Sequence, residues 1–294
     1  MDDLALIILN YNSTEDTILC VNQLLSFKSD FHIIIVDNLS PDGSYSKLRT
    51  VLEGLPFVDL IQAPSNGGYS AGNNLGIRYA ASHYSIKVIG ILNPDVYIPS
   101  LDILKNMKSA LMSNDKYAII GGSALNGNGD YNPNSSAWSI PSSTDLIRNH
   151  FILNQRHTKV QTLKMIGNGL AQAECVVGCF FLARLSVIQE LGFLDENVFL
   201  YNEENILGIK CKRKGYMELV ALDQFYIHNH KEHSVQKLSL KKLISASKIG
   251  YQSRQYLCKT YYSPRLLPLL WMVEMGNRMY LFLSYIKNRI KPNL

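Results

Sequence analysis

The cysteines of this 294-residue chain form no paired motif. None of the five lies in a CxxC pair or has the His/Cys spacing that is typical of zinc sites. Their number is odd, and apolar residues such as Val176, Val177 and Phe180 surround two of them. We therefore expect reduced, mostly buried thiols in a cytosolic protein rather than a disulfide framework.

Targeting and membrane-spanning segments are also missing from the sequence pattern. The N-terminus carries two acidic residues and leads directly into a short strand-like run, which is not the pattern of a signal peptide. The most hydrophobic segment, 269–286, is interrupted near its middle by Glu274, Asn277 and Arg278. Its uninterrupted apolar length is too short to cross a bilayer.

Two common nucleotide-binding motifs are absent as well. The Gly/Asn-rich segment 66–76 has neither the GxGxxG spacing of dinucleotide-binding folds nor the Gly-Lys-Ser/Thr ending of a P-loop. The sequence therefore disfavours a dinucleotide-dependent enzyme and a P-loop NTPase.

Charge is scarce and unevenly distributed. Charged residues make up 18% of the chain and apolar residues 47%, a balance typical of a globular protein. Segment 235–294 contains eleven Lys and Arg against one acid, whereas residues 1–234 contain 18 basic and 23 acidic residues. This basic tail suits an amphipathic helix on an anionic membrane, a helix pair packed on the body, or a homodimer interface. Nucleic-acid binding is not expected, since no reader motif accompanies the charge.

Apolar runs alternate with helical patterns through the first hundred residues. Strands are predicted at 4–9, 32–36, 57–61 and 88–92, with helices at 15–27, at 44–53 and from the 66–76 loop to about residue 83. This alternation indicates a doubly wound, mostly parallel α/β sheet with flanking helices. Further predicted elements are a helix at 102–113, a strand at 117–120, loops with some helix at 121–170, one strand at 175–183, helices at 186–191 and up to residue 214, and a strand at 216–222.

Polar residues follow three of the predicted parallel strands. Asn10, Asp37 and Asp95 each stand just beyond a strand, and Pro94 holds Asp95 on a stiff elbow after Asn93. Because such strand ends share one edge of a parallel sheet, these side chains are expected to converge. Carboxylates there can bind a ribose or hold a cation that bridges phosphates. A single Asp at a strand end is more typical of a turn or a helix N-cap than of a ligand site, whereas three such residues together favour a nucleotide site.

Two downstream clusters could carry acid–base or metal chemistry. Glu203 and Glu204 form a candidate catalytic pair, because neighbouring like charges raise one pKa towards that of a useful general base. Acidic residues also favour helix N-termini for electrostatic reasons. His228, His230 and His233 include candidate metal ligands within an otherwise polar segment.

The order and spacing of these motifs over residues 4–260 resemble the inverting family 2 glycosyltransferases of the GT-A fold, in particular their bacterial rhamnosyltransferase-like branch. The matching segments are ILNYN (8–12), IVDNLSPDGS (35–44), NGGYSAGNNLGI (66–77), LNPDV (92–96), VGCFFLAR (177–184), LGFLDE (191–196), FLYNEE (199–204) and a His before a Ser within 228–234.

The resemblance implies a donor site and a metal site. The implied nucleotide-sugar-binding residues are Asn10, Asn12, Asp37, Asn66, Gly67, Asn73, Asn93 and Asp95. Among them, Asp37 would contact the base and ribose of a UDP- or dTDP-sugar. Asp95 would bind Mg²⁺ or Mn²⁺ as the remaining acid of a DxD-like motif whose first acid is Asn93. His228, or His230 in its place, would be a further ligand of the metal or the diphosphate.

The resemblance also implies a general base. Glu204 stands where relatives commonly have the Asp of a Glu-Asp pair. Because Glu is one methylene longer, Glu203 is the alternative base. An acidic position two residues further on in many relatives is Ile206 here.

The implied activity is transfer of a sugar, with rhamnose a candidate, to a saccharide or polyprenyl-linked acceptor with inversion, in capsule or O-antigen biosynthesis. The implied domains are 1–98 (nucleotide-binding half), 99–234 (acceptor half) and a helical extension, 235–294, on the inner face of the cell membrane. The alternatives are a non-catalytic nucleotide-sugar-binding partner of a glycosyltransferase complex and a nucleotidyltransferase.

Overall fold

The computed structural model of the protein describes residues 1–132, 135–152, 163–229 and 240–290. The chain divides into two compact units. Unit 1 comprises Met1–Ile140, Val160–Glu196 and Glu203–His230, and unit 2 comprises Pro141–Lys159, Asn197–Asn202 and Lys231–Leu294. The predicted domain boundary at residue 234 lies outside the described residues. Unit 2 also includes two segments that the sequence analysis assigned to the acceptor half.

Unit 1 begins with alternating strands and helices, as predicted. In chain order these are β1 (Leu4–Asn10), α1 (Thr14–Leu25), β2 (His32–Asp37), α2 (Ser44–Leu52), β3 (Val58–Gln62), α3 (Gly68–His83), β4 (Val88–Leu92), β5 (Val96–Tyr97), α4 (Leu101–Met112), β6 (Tyr117–Asn126) and β7 (Ala137–Trp138). After α5 (Ser143–Arg148), which belongs to unit 2, come β8 (Lys164–Gly167), β9 (Leu170–Ala173), β10 (Cys175–Val176), β11 (Phe180–Arg184), α6 (Leu185–Glu190), α7 (Glu203–Lys214) and β12 (Met217–His228). Unit 2 ends with α8 (Leu240–Tyr261) and α9 (Leu267–Ile290).

The sheet of unit 1 runs in the order β3-β2-β1-β4-β11-β6-β12-β9-β8, and β5 pairs with β12. Strands β3, β2, β1 and β4 are parallel, and β11 enters antiparallel between β4 and β6. Alternate residues of β1 enter two different core clusters: Leu6 packs on the side of α1, α2 and α4, and Ile7 on the side of α3, α6 and α7. Helices on both faces explain why β1 is a continuous apolar run. The predicted α/β sheet with flanking helices is confirmed.

Three predicted strands and one predicted loop region differ from the observed structure. The strand predicted at 117–120 continues to Asn126 as β6, and the region 121–170, predicted as loops with some helix, also contains β7 and β8. The run 175–183 forms two strands instead of one: β10 pairs with β7 in a separate two-stranded sheet, whereas β11 lies in the main sheet. The apolar pattern hid this break because both strands are buried. The strand predicted at 216–222 continues to His228 as β12, through an irregularity between Ala221 and Phe225. This continuation brings His228 opposite Val96 of β5.

In unit 2, the polar residues that interrupt α9 lie buried. Glu274 accepts hydrogen bonds from Ser247 and from Arg278, and its Oε2 lies 3.1 Å from Nε2 of His150. Asn277 donates to the backbone carbonyl of His150 over 2.7 Å. These contacts hold the end of α5 on α9, because buried polar groups are stable when they are hydrogen-bonded. Among the described residues, no helix is long and apolar enough to cross a membrane.

Candidate functional site

The first part of the site lies where β1 and β2 end. The strands are parallel and pair Asn10 with Asp37, as expected. The Asn10 amide donates to Oδ1 of Asp37 over 2.8 Å, and the Ser40 backbone N–H and the Gln62 amide donate to Oδ2. Asp37 is fully buried, and these donors offset the cost of burying its carboxylate. Contact with a donor ribose remains a prediction.

The loop before α3 forms the next part. Oδ1 of Asn66 accepts hydrogen bonds from the Asn38 amide (2.9 Å) and the Gly68 backbone N–H (3.2 Å), which tie the loop to the end of β2. Asn73 turns back into α3, where its amide donates to the backbone carbonyl of Tyr69. A Cβ at Gly72 would lie 2.3 Å from Cδ1 of Leu9. This glycine therefore serves close packing of α3 on β1.

Three other predicted donor residues differ in their surroundings. The backbone N–H of Asn12, an exposed residue, donates to the Ser40 hydroxyl over 3.1 Å. Gly67 precedes α3, and a Cβ there would lie 2.7 Å from Cβ of Ala71. Asn93 begins the turn after β4, where its backbone carbonyl accepts from the Val96 N–H over 3.1 Å. All three lie at the predicted strand-end or helix-start positions.

Asp95 and His228, the predicted metal ligands, lie next to each other in the structure. The Asp95 backbone carbonyl accepts from the Asn229 N–H, and β5 pairs with the end of β12. Oδ2 of Asp95 consequently lies 3.4 Å from Nε2 of His228, and each side chain is about one quarter exposed. Burial alone would lower the pKa of His228, but hydrogen bonds with Asp95 and Cys179 outweigh it and raise the pKa to about 10.

These two side chains fit a divalent cation that is shared with a diphosphate. A carboxylate and a neutral imidazole with solvent access can bind Mn²⁺ or Mg²⁺, so the cation would replace the proton that Asp95 favours on His228, and phosphates and water would supply the other ligands. Within the described ranges, no group of three or more His, Cys, Asp or Glu side chains forms a complete metal site. The donor diphosphate would therefore have to supply oxygen ligands. His230, the predicted substitute ligand, lies outside the described residues.

The start of α7 distinguishes the two candidate bases. Glu203 is buried, whereas Glu204 is partly exposed. Oε1 of Glu204 accepts a hydrogen bond from the Gly178 backbone N–H over 3.2 Å. Burial raises the pKa of Glu204, and hydrogen bonds from its own N–H and that of Gly178 only partly offset this effect. Of the two candidate bases, Glu204 is therefore the one with solvent access, and its role as a base remains a prediction.

The short segment between β10 and β11 connects both sides of the site. The Gly178 N–H donates to Glu204, and the Gly178 carbonyl accepts from the Tyr69 hydroxyl. The next carbonyl, of Cys179, accepts from the Asn93 N–H over 2.8 Å. One stretch of backbone thus contacts both the candidate base Glu204 and the turn that carries Asp95.

Sequence reasoning did not assign Gly178, Cys179 or Tyr69. They lie within the matching segments 66–77 and 177–184, so the signal was present. Their contribution depends on backbone hydrogen bonds and on a missing side chain, which a motif does not reveal.

Replacing Gly178 by alanine is expected to leave a folded protein with impaired chemistry. The new Cβ would lie 2.8 Å from Oε1 of Glu204 and 3.2 Å from the Tyr69 hydroxyl. The Glu204 carboxylate can move away because it ends a flexible side chain, but displacement by about 1 Å costs roughly 10²-fold in rate. Thermal melting and donor turnover check this prediction. Gly276→Ala is the matched control, because a Cβ there meets nothing within 4 Å. Equal turnover by both variants would contradict the role given to Gly178.

Comparisons with known proteins identify the family of the chain. The family model "Glycosyl transferase family 2" matches residues 5–192. The low-salt glycan biosynthesis hexosyltransferase Agl10 of Haloferax volcanii is 32% identical over 215 residues, which are 73% of this chain and 63% of that protein. The chain therefore spans somewhat less than two thirds of the length of this curated relative.

Solved structures show the same fold at low sequence identity. The mannosyltransferase PcManGT of Pyrobaculum calidifontis, in complex with GDP-Man and Mn²⁺, is 13% identical with a TM-score of 0.58, covering 99% of this chain and 76% of that one. S. aureus TarS 1–349 is 14% identical with a TM-score of 0.53 (95% and 80% covered). GalNAc-T7 with UDP, GalNAc and Mn²⁺ is 12% identical with a TM-score of 0.60 (97% and 56% covered). The predicted GT-A fold is confirmed.

Proposed function

Because the chain belongs to glycosyl transferase family 2, we propose that it transfers a hexose from a nucleotide-sugar to an acceptor hydroxyl. The observation that carries this proposal is the arrangement around segment 177–179. Asp95 and His228 are paired on one side, and the partly exposed Glu204 is held on the other. A glycosyltransferase needs these two functions, a site for the leaving diphosphate and a base for the acceptor.

The proposed reaction is a single displacement. Asp95 and His228 would hold Mg²⁺ or Mn²⁺, which when bound neutralises charge on the leaving diphosphate. Glu204 takes the proton from the acceptor hydroxyl while that oxygen bonds to the anomeric carbon and the bond to the diphosphate breaks. Attack comes from the face opposite the diphosphate, so the anomeric carbon inverts. A raised pKa makes the Glu204 carboxylate a better proton acceptor.

The donor and acceptor classes belong to the same proposal. UDP- and dTDP-sugars are the proposed donors, with dTDP-linked rhamnose as one candidate, and a saccharide or polyprenyl-linked saccharide is the proposed acceptor. The hexosyltransferase Agl10 is named for glycan biosynthesis, which supports a role in assembling a surface polysaccharide. The half-buried Trp138 donates its indole N–H to Asn205, next to Glu204 in the chain, and could stack on an acceptor sugar.

A donor screen tests the proposal. Thermal shift of the wild-type protein with Mn²⁺ and UDP-, dTDP- or GDP-sugars should find stabilisation by at least one donor, because stabilisation follows affinity. GDP-sugars are included because the structural neighbour PcManGT holds GDP-Man. Donor binding without turnover, in the presence or absence of acceptors, would favour the non-catalytic partner. Release of pyrophosphate from a nucleoside triphosphate and a sugar phosphate would favour a nucleotidyltransferase.

Helix α9 has an exposed apolar face, and we propose that this face lies on an anionic membrane. Its buried side carries Leu270, Glu274 and Asn277. The outer side chains, each at least 37% exposed, are Leu269, Trp271, Met272, Met279, Tyr280, Phe282, Leu283 and Ile286. So large an apolar face is unusual on a monomeric soluble protein and is typical of an interfacial helix. Basic residues of segment 235–294 would add about 1 kcal/mol each near an anionic leaflet. The same proposal places this peripheral association on the inner face of the cell membrane.

A double substitution on this face tests membrane binding. Trp271→Ser with Phe282→Ser should weaken binding to phosphatidylglycerol vesicles about 10- to 100-fold, because two exposed aromatic side chains no longer insert. Co-sedimentation at moderate salt measures the effect, with neutral phosphatidylcholine vesicles for comparison. Leu19→Ser with Met165→Ser is the matched control, since both are exposed apolar residues of unit 1. Unchanged vesicle binding, or loss of a homodimer instead, would contradict the membrane assignment.

A further inference from the structure

Unit 1 contains a buried carboxyl group that the proposed reaction does not use. Glu218 lies on β12 between β6 and β9, opposite Ile119 and Ala173, and only 3% of its surface is exposed. Its Oε2 accepts a hydrogen bond from the Val176 backbone N–H over 2.8 Å. Its Oε1 is buried and has no hydrogen-bond partner among the described residues.

The groups that act on Glu218 come from α7 and β10. The Cys211 thiol of α7 donates a hydrogen bond to the carboxyl. A negative charge on Glu218 would raise the pKa of the Cys175 thiol of β10, and Glu204 of α7 adds a second negative charge nearby. Burial raises the pKa of Glu218 to about 8, hydrogen bonds from Val176 and Cys211 only partly offset it, and Glu204 makes a smaller contribution in the same direction as burial. An ionised carboxylate here would be buried next to another carboxylate, which is costly, so the protonated form is stable at neutral pH.

The Val176 N–H that Glu218 binds begins the segment that organises the site. The backbone groups that follow Val176 are also hydrogen-bonded. The Val177 N–H donates to the Ser136 carbonyl, and the Gly178 N–H donates to Glu204. The Cys179 carbonyl accepts from the Asn93 N–H in the turn after β4. Fixing Val176 therefore fixes the start of the same backbone stretch that positions the base.

We infer that Glu218 is a positioning residue that works in its neutral form: it anchors Val176 and leaves Glu204 as the single charged carboxylate of the pair. The catalytic part of this inference rests on the proposed function. Ionisation of Glu218 would put a second, desolvated negative charge beside Glu204. The hydrogen bond from Val176 favours the charged form, but the cost of burying that charge outweighs it, so the fold around Glu218 is destabilised at alkaline pH.

The consequence for stability has a defined direction. Because the folded-state pKa of Glu218 lies above that of an exposed Glu, the proton stabilises the fold fully below about pH 4.5, and this stabilisation is lost as pH rises through about 8. Glu218→Gln keeps an acceptor for Val176 and cannot ionise. It should therefore remove this pH dependence while preserving the fold.

Melting temperatures of the full chain test the inference without any substrate. The melting temperature of Glu218→Gln minus that of wild type should increase by at least about 5 °C when the pH is raised from about 5 to about 9. Glu190→Gln is the matched control and should stay parallel to wild type, because hydrogen bonds from Tyr216 and Lys214 keep the pKa of Glu190 low. If the melting temperatures of Glu218→Gln and wild type change in parallel with pH, the inference that Glu218 is neutral in the folded protein is wrong. This result does not depend on whether the protein turns over a donor.

Turnover tests the positioning role separately. At neutral pH, Glu218→Gln should keep kcat within about 3-fold of the wild-type value. Glu218→Leu leaves the Val176 N–H without an acceptor. It should lower kcat at least about 10-fold while the donor KM stays unchanged. Above about pH 8, wild-type kcat should fall while that of Glu218→Gln persists. A Glu218→Leu variant with wild-type kcat, or an alkaline loss shared by Glu218→Gln, would refute the role. If Glu218→Leu does not fold, the pH comparison with Glu218→Gln decides.

Discussion

Replacing Glu204 by glutamine is expected to lower sugar transfer about 10²- to 10⁴-fold, the range that general-base catalysis supplies. Glutamine retains an oxygen that can accept the Gly178 N–H, so segment 177–179 keeps its position. What is lost is the ability to take the acceptor proton. Donor affinity, measured by thermal shift or calorimetry, should stay within about 3-fold because Glu204 does not bind the diphosphate in this mechanism.

Glu203→Gln is the matched control for this variant. Glu203 is only 6% exposed, next to Glu204 at the start of α7. Glu203→Gln should lower kcat far less than Glu204→Gln does, because a buried side chain cannot reach an acceptor hydroxyl. A larger loss for Glu203→Gln than for Glu204→Gln would move the base to Glu203, the alternative that the sequence left open.

Replacing Asp95 by asparagine is the second substitution with a large expected effect. It removes the carboxylate of the Asp95–His228 pair but keeps the size of the side chain, so the turn after β4 should persist. Loss of metal-assisted charge stabilisation, worth several kcal/mol, corresponds to roughly 10²- to 10⁴-fold in turnover. Calorimetric titration with Mn²⁺ and donor should show the same loss in Mn²⁺-dependent donor affinity.

Asp42→Asn provides a control for charge removal. Asp42 lies in the loop after β2, where it accepts hydrogen bonds from Ser44, the first residue of α2, and it is not assigned to the metal. Its substitution should leave Mn²⁺-dependent binding unchanged. If Asp95→Asn also leaves donor turnover and Mn²⁺-dependent binding intact, the metal assignment is wrong.

Much of the fold could be predicted because helices cover both faces of the first four strands. This arrangement produces continuous apolar runs such as β1, and parallel strands bring Asn10 and Asp37 side by side. The contact between Asp95 and His228 could not be derived from periodicity. It depends on the irregularity in β12, where Asp223 and Gln224 interrupt the strand pattern.

Other features could not be predicted because sequence patterns do not state which face is buried. Glu274 and Asn277 interrupt an apolar helix in the sequence, and the structure buries them and exposes the apolar side. Glu218 stands in a strand whose neighbours are apolar, where a charged residue would normally be taken to face water. Its burial beside β10 is a property of the packed sheet.

The central claim is that Glu204 acts from the side of the sugar opposite the departing diphosphate. The most direct test is proton NMR of the first sugar released when the wild-type protein hydrolyses its donor with Mn²⁺, with water in place of the acceptor. An α-linked donor should give the β-sugar before mutarotation, and a β-linked donor the α-sugar. Release with retained anomeric configuration would contradict this account.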